Sequence, residues 1–313
     1  PNPSFETYSP CPISPDLIAN ATGWSMPTSG TSDYFNACAT FASAVDVPNN
    51  GFGSQAANTG VGYAGLYNVE MLCDYREYIR VQLTSPLVIG LSYTASMYAS
   101  LAEESDYASN NIGMFFSTSA SVSTTNLPCT APNTGVISPA VIPQVNSAAV
   151  ITNIAGWTLI SGTFTATTAA QYLYIGNFYN TPSTTTNPGP GSGGTGAAYY
   201  YIDDVSVVLA AALPIEFISF TSYCKDARVV LNWSTATETN NDYFTIERSA
   251  DGINWEVVGT VDGAGNSSTI HNYEFTNSSP EVGGGREGAL YYRLKQTNYD
   301  GKFEYFDPVV VEA

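Results

Sequence analysis

The sequence predicts an all-β chain built as two β-sandwiches in series, and three observations carry that expectation. The 313 residues include 22 tyrosines and 27 glycines while only 12% are charged, a mix suited to pleated, half-buried surfaces joined by polar loops. Short runs alternate apolar and polar residues at period two, and no long run repeats at the helical period. Gly, Pro, Asn and Ser clusters cut these runs at strand-like spacing. Over the first two thirds, two antiparallel sheets packed face to face are the natural solution.

Taken in order, the first unit spans 1–209. Its expected strands include 76–83 (REYIRVQL), 92–100 (SYTASMYAS), 113–117, 158–166 (TLISGTFTA) and 171–178 (QYLYIGNF). Each alternates, so each should have one buried and one wet face. Segment 181–196, TPSTTTNPGPGSGGTG, is read as a flexible surface loop, because a strand follows it and its composition supplies nothing to a core. That closing strand is AYYYIDDVSVV, 198–208. Tyr200 and Ile202 keep one phase, Val205 and Val207 keep the other, and Asp203-Asp204 sit at the slip, which is the pattern of a bulge. Adjacent carboxylates near a buried edge repel and are costly to desolvate. The only basic residues before position 209 are Arg76 and Arg80, so a bound cation is expected there.

A short junction, Ala210 to Pro214, leads to a second unit, 213–313, and its stiffness favours a fixed angle between the two. Strands are expected at 216–222, 228–234, 243–249, 255–261, 271–276, 290–297 and 303–311, with Asp251-Gly252 and Asp300-Gly301 as hairpin turns. Seven short strands is the count of an immunoglobulin-like sandwich. Trp233 is expected in its core, and Tyr291 or Tyr292 at a corner.

Composition narrows the function. Acidic residues outnumber Lys and Arg by 27 to 9, with one histidine and a net charge of −18, which makes nucleic acid a poor partner. No apolar run approaches the roughly 20 residues of a membrane helix. The sequence opens at Pro1 without a methionine or an apolar leader, and is read as a processed, exported form. Cys11, Cys38, Cys73 and Cys129 fit an oxidising location. They allow three pairings, of which Cys11–Cys38 with Cys73–Cys129 is the expected one. Cys224 is left over.

Two resemblances follow from particular residues. NPSFE (2–6), GWTLISGTFTA (156–166), LYIGNF (173–178) and YYIDDVSV (200–207) resemble jelly-roll carbohydrate-binding modules and related domains of exported Bacteroidetes proteins. That resemblance implies a jelly-roll β-sandwich with a structural calcium between the first strand's Glu6 and the closing strand's Asp203 or Asp204. LPIEFISFTSYC (213–224), LNWSTATETNNDYFTIERSADGINWEVVGTVDGAGNS (231–267) and YYRLKQTNYDGKFEYF (291–306) resemble the fibronectin type III-like domain that precedes the sorting tail of type IX secretion substrates. Members often carry a second cysteine after the last strand, and here the sequence stops at Ala313. The departure leaves Cys224 unexplained and implies a further C-terminal segment.

No catalytic set emerges. His271 reads as a surface or turn residue, and the sequence contains no HExxH, CxxC zinc spacing, Walker loop or GxSxG elbow. Glu103, Glu104 and Asp106 read as a solvated acidic loop; glycoside hydrolysis would need a facing carboxylate partner, and none can be named. Sugar binding needs aromatic faces and hydrogen-bonding groups. Tyr63, Tyr67, Arg76 and Asn177 are the expected ligand residues, and Trp24 and Trp157 the expected core aromatics. The reading is therefore a non-catalytic, secreted or cell-surface protein that acts by binding, as an adhesin or glycan-binding module. Alternatives are a subunit that self-assembles into an extracellular filament or layer, or an accessory part of a secreted glycoside hydrolase.

Overall fold

The computed structural model describes residues 1–40, 44–71, 73–125, 133–191, 194, 196–210, 216–226, 228–278, 289–299 and 301–312. The described residues form strands with short 3-10 turns, and none of their helices is long and apolar enough to cross a membrane. The chain divides into two compact units, Pro1–Ala210 and Ala211–Ala313. The expected stiff junction lies outside the described residues from position 211 to 214.

The first unit is a jelly-roll-type β-sandwich of two five-stranded sheets. One runs in the order Trp24–Ser25, Tyr78–Gln82, Tyr172–Gly176, Gly113–Ser117, Val145–Asn146. The other runs Thr158–Thr165, Ser92–Leu101, Ala197–Leu209, Gly62–Glu70, Asp33–Asn36. Every neighbouring pair is antiparallel. Period-two alternation builds the core: Ile79, Val81, Met114, Phe116, Leu173 and Ile175 of the first sheet pack against Leu66, Ala95, Met97, Tyr200 and Ile202 of the second. Each large apolar side chain buried this way contributes about 1.5–3 kcal/mol.

The closing strand Ala197–Leu209 lies at the centre of the second sheet, and its register slips between Asp203 and Ser206. Asp204 occupies the slip with φ +49°, a left-handed conformation that aspartate tolerates better than most residues. On one side of the bulge Tyr200 and Ile202 face the core while Tyr199 and Tyr201 face outward. On the other side Val205 and Val207 face inward. One extra residue thus exchanges the outward-facing set of the whole strand.

Outside this sheet, residues 37–40 and 44–57 cover its tyrosine-bearing half. Phe35, Tyr63, Tyr199 and Tyr201 form a second apolar cluster there with Val45 and Phe52 from the loop. Segment 181–196 departs from the expected flexible loop. Thr186–Pro188 pairs with Tyr107–Ser109, and the backbone N–H groups of Gly189 and Gly191 donate to Asp106 and Ser105 carbonyls. A Cβ on Gly189 would stand 2.3 Å from Ser105 O, and one on Gly191 2.4 Å from Glu104 O. These glycines mark close backbone approach; positions 192, 193 and 195 lie outside the described residues.

In the second unit the two strands expected at 228–234 and 243–249 form one strand of 22 residues, Arg228–Ser249. Its first half pairs with Glu216–Lys225 and His271–Asn277, its second with Glu256–Ser267 and Ala289–Asn298. The register shifts between Glu238 and Tyr243, where Asn240 has φ +61°. Burial raises the pKa of Glu238, but Tyr273 O–H, Asn241 amide, Thr235 O–H and Ala264 N–H all donate to its carboxylate and hold it low. Trp233, 1% exposed, centres the core against Tyr273 and Phe244. Tyr292 is the buried one of the expected corner pair, and its hydroxyl accepts from Asn277. The strand expected at 303–311 splits into Phe303–Tyr305 and Val309–Glu312, with Pro308, which lacks an N–H, in the break. Asp251 caps its turn by accepting from Ile253 and Asn254 N–H; Asp300 lies outside the described residues.

Candidate functional site

A cleft of about 330 Å³ opens where the loop around Asn50–Gly53 meets the tyrosine half of the second sheet. Its floor is Tyr199, 2% exposed. Phe52 stacks on that ring at 3.9 Å and 7°. Tyr67 meets it edge-on at 4.9 Å and 83°, and stays half-buried. Asn50, Ser105 and the exposed carboxylate of Glu104 complete the walls.

Hydrogen bonds hold this arrangement. Asn50 donates to Tyr63 Oη and accepts from Tyr201 O–H, while Tyr63 O–H donates to Gln55 O. Ser54 N–H donates to Glu103 Oε2 at 3.0 Å, and a Cβ on Gly53, whose φ is +142°, would fall on that same carboxylate. Ser105 Oγ bridges both backbone groups of Tyr199. The cleft is thus rigid before any ligand arrives, which lowers the entropic cost of binding.

Beneath the floor lie two buried carboxylates that the sequence reading does not single out. Tyr199 O–H donates to Asp33, 2% exposed. Glu77, fully buried, accepts from Thr31 N–H and O–H, Tyr75 O–H and Tyr67 N–H at 2.7–3.0 Å. Burial, reinforced by Glu77, pushes the pKa of Asp33 up to about 8. Burial also raises Glu77. Glu77 has four hydrogen-bond donors where Asp33 has two, Asp16 N–H and Tyr199 O–H, and the two carboxyls titrate as a pair in one buried site. Burial, then Glu77, pushes Tyr67 up to about 12.

The four expected ligand residues separate. Tyr63, Arg76 and Asn177 are fully buried and cannot touch a ligand. Tyr63 carries the loop as described. Arg76 donates to Tyr75 O, Tyr179 O and Thr181 Oγ1 and pairs with Asp74 at 3.2 Å. Asn177 donates to Thr184 Oγ1 and accepts from Tyr179 N–H. Only Tyr67 stands at the cleft. Trp24 is buried in the core, and Trp157 N–H donates to Ala56 O beside the loop.

The expected cation residues gather around loop 58–62. Asp204 accepts from Thr59 O–H, Ser4 O–H and Asn58 Nδ2 at 2.5–2.6 Å; burial opposes its ionisation, but these donors outweigh it and hold its pKa low. Asp203 accepts N–H bonds from Asn58, Thr59 and Asp204, yet burial and then the Asp204 charge push it up to about 8. Glu6 accepts from Val61 and Gly62 N–H, and Val205 N–H donates to Pro3 O. Entry segment, loop and closing strand are thus fastened together. The donor chemistry, all oxygen with a buried carboxylate short of compensation, suits a hard divalent cation. Among the described residues no group of three or more Asp, Glu, Cys or His side chains stands in metal-holding geometry, so Glu6 and the two aspartates do not close into one carboxylate cage.

Cys11 and Cys38 form a disulfide across 27 residues. Cys73 is also disulfide-bonded, and Cys129 lies outside the described residues. Cys224 is an exposed thiol. His271 Nε2 lies 2.7 Å from Ser267 Oγ on a half-buried strand.

No protein-family model matches the chain, and no curated protein does. Among solved structures it is similar to the arabinose-bound MgGH51 α-L-arabinofuranosidase at 10% identity and TM-score 0.34, covering 66% of this chain and 25% of that one. It is similar to the CBM22-1 xylan-binding domain of Paenibacillus barcinonensis Xyn10C at 15% identity and TM-score 0.35, covering 66% of this chain and 93% of that one. The tandem CBM22-1–CBM22-2 structure of the same protein gives 12% identity and TM-score 0.36 over 99% and 96%.

Proposed function

We propose that the first unit is a glycan-binding module of an extracellular protein, and that it binds at the Tyr67 cleft. The observation that carries this is the cleft's composition. Partly exposed rings of Tyr67 and Phe52, one exposed carboxylate and fixed polar groups surround a volume of about 330 Å³. Aromatic faces stack on pyranose rings, and carboxylates accept from sugar hydroxyls. Hydrolysis would need a second carboxylate across the cleft, whereas Glu104 is the one carboxylate among the residues lining it, which favours binding without catalysis. The exported, cell-surface setting and delivery by the type IX route rest on the resemblance of the second unit to fibronectin type III-like domains, and the disulfides agree with an oxidising compartment.

A glycan array followed by calorimetric titration of the full chain tests the reading. A saccharide should bind, and Tyr67→Ala and Glu104→Gln should each weaken it about tenfold or more, Glu104→Gln without changing the melting temperature. Silence across the array, or affinity unchanged in both variants, contradicts it.

The clasp at Asp203 and Asp204 is proposed to hold a structural calcium, with backbone carbonyls as further oxygen donors. A cation there offsets the burial, and then the Asp204 charge, that raise Asp203. Calcium at about 100 times its Kd should stabilise the chain by about 2.7 kcal/mol. The melting temperature should therefore fall on adding EDTA and recover with calcium, and Asp203→Asn should abolish the difference. Equal melting with and without EDTA excludes the site.

A further inference from the structure

We infer that the edge strand Thr158–Thr165 is a contact surface for a second copy of this chain. Sheet edges expose unpaired N–H and C=O groups, and proteins blunt them with short strands, charges, prolines, bulges or covering loops. Three edges of the first unit follow that rule. Trp24–Ser25 and Val145–Asn146 have two residues each, and Asp33–Asn36 has four, all buried. The fourth does not. Thr158–Thr165 is eight residues long and, among the described residues, pairs on one side only, with Ser92–Leu101 in continuous register. It contains no charge, no proline and no bulge, and Leu159 is 54% exposed.

The face beside this edge is equally unprotected. Register places Ser161 beside Ser96 and, one strand further in, Ser206, Thr163 beside Thr94 and then Val208, and Thr165 beside Ser92. The hydroxyls of Thr94 and Thr163 lie 3.1 Å apart, those of Ser92 and Thr165 3.2 Å. No Asp, Glu, Lys, Arg or His occurs between Asp106 and Asp203, nor between Arg80 and Glu103. Copies of a chain with net charge −18 repel one another over most orientations, and this neutral patch is where two can meet without opposing carboxylates. Antiparallel pairing of the strand with its own copy about a two-fold axis satisfies both sets of free backbone groups and makes one ten-stranded sheet from two five-stranded ones. The inference does not depend on glycan binding, because the Tyr67 cleft lies on the other side of the Asp203 bulge.

Sedimentation velocity of the full chain over a concentration series, with amide hydrogen exchange at both ends of the series, tests it. The wild type should dimerise, and the amides of Thr158–Thr165 should gain protection as it does. Ser161→Lys, which brings two lysines close together across the axis, should weaken dimerisation about tenfold or more while saccharide affinity stays unchanged. A chain that remains monomeric at every concentration overturns the inference, and this includes the case where another protein supplies the strand. So does a dimer in which those wild-type amides exchange as fast as in the monomer, a readout that needs no variant to fold.

Discussion

One sheet of the first unit carries two unlike outer faces. On the side of Gly62–Glu70 the outward residues are tyrosines, roofed by a loop and backed by buried carboxylates. On the side of Thr158–Thr165 they are mainly serines and threonines with Leu159 and Val208, open to solvent and free of charge. The closing strand contributes to both, and its Asp203–Asp204 bulge is where one set gives way to the other. The difference teaches that a single extra residue lets one strand serve two surfaces of different chemistry. Burial strains the first face electrostatically and leaves the second nearly neutral in energy.

The largest test of that contrast is pH. Asp33 and Asp203 are both pushed from 3.8 to about 8, so between those values the folded chain holds protons that the unfolded chain has released. Their contribution to stability is complete below about pH 4 and is lost as pH rises through about 8. Denaturant titrations of the full chain in chelator should show stability falling by ~3 kcal/mol or more from pH 5 to pH 9. Asp33→Asn should reduce that slope by about half, and Thr163→Val should leave it unchanged.

A smaller effect comes from deleting one hydroxyl on each face. Tyr199→Phe leaves Asp33 buried with Asp16 N–H as its remaining donor and should cost about 1–3 kcal/mol. Thr163→Val removes a solvent-exposed hydroxyl contact with Thr94 and should change stability by no more than about 0.5 kcal/mol. Equal costs, measured by thermal or chemical melting, would erase the distinction between the two faces.

Much of the fold is legible in the sequence because period-two alternation and turn residues are local signals. The bulge is the clearest case: the phase of Tyr200 and Ile202 against Val205 and Val207 locates it to the two aspartates. The ligand residues are less legible. Alternation says that Tyr63 and Tyr67 share a face, but not that residues 37–40 and 44–57 cover Tyr63 and leave Tyr67 at a cleft. Arg76, one of two cations in its unit, looks like a binding group until the structure closes carbonyls and Asp74 around it. Phe52 and Glu104 reach the cleft from distant loops, and Asp33 and Glu77 meet beneath it only through tertiary contacts. Glycines 189 and 191 read as flexibility, although their real constraint is the backbone of Glu104–Asp106 pressed against them.

Amide hydrogen exchange of the full chain with and without the saccharide selected by the array tests the central claim most directly. Binding at the tyrosine half predicts new protection at Asn50–Gly53, with no change in Thr158–Thr165. Protection confined to the hydroxyl half, or absent at saturating saccharide, would contradict the assignment of the cleft.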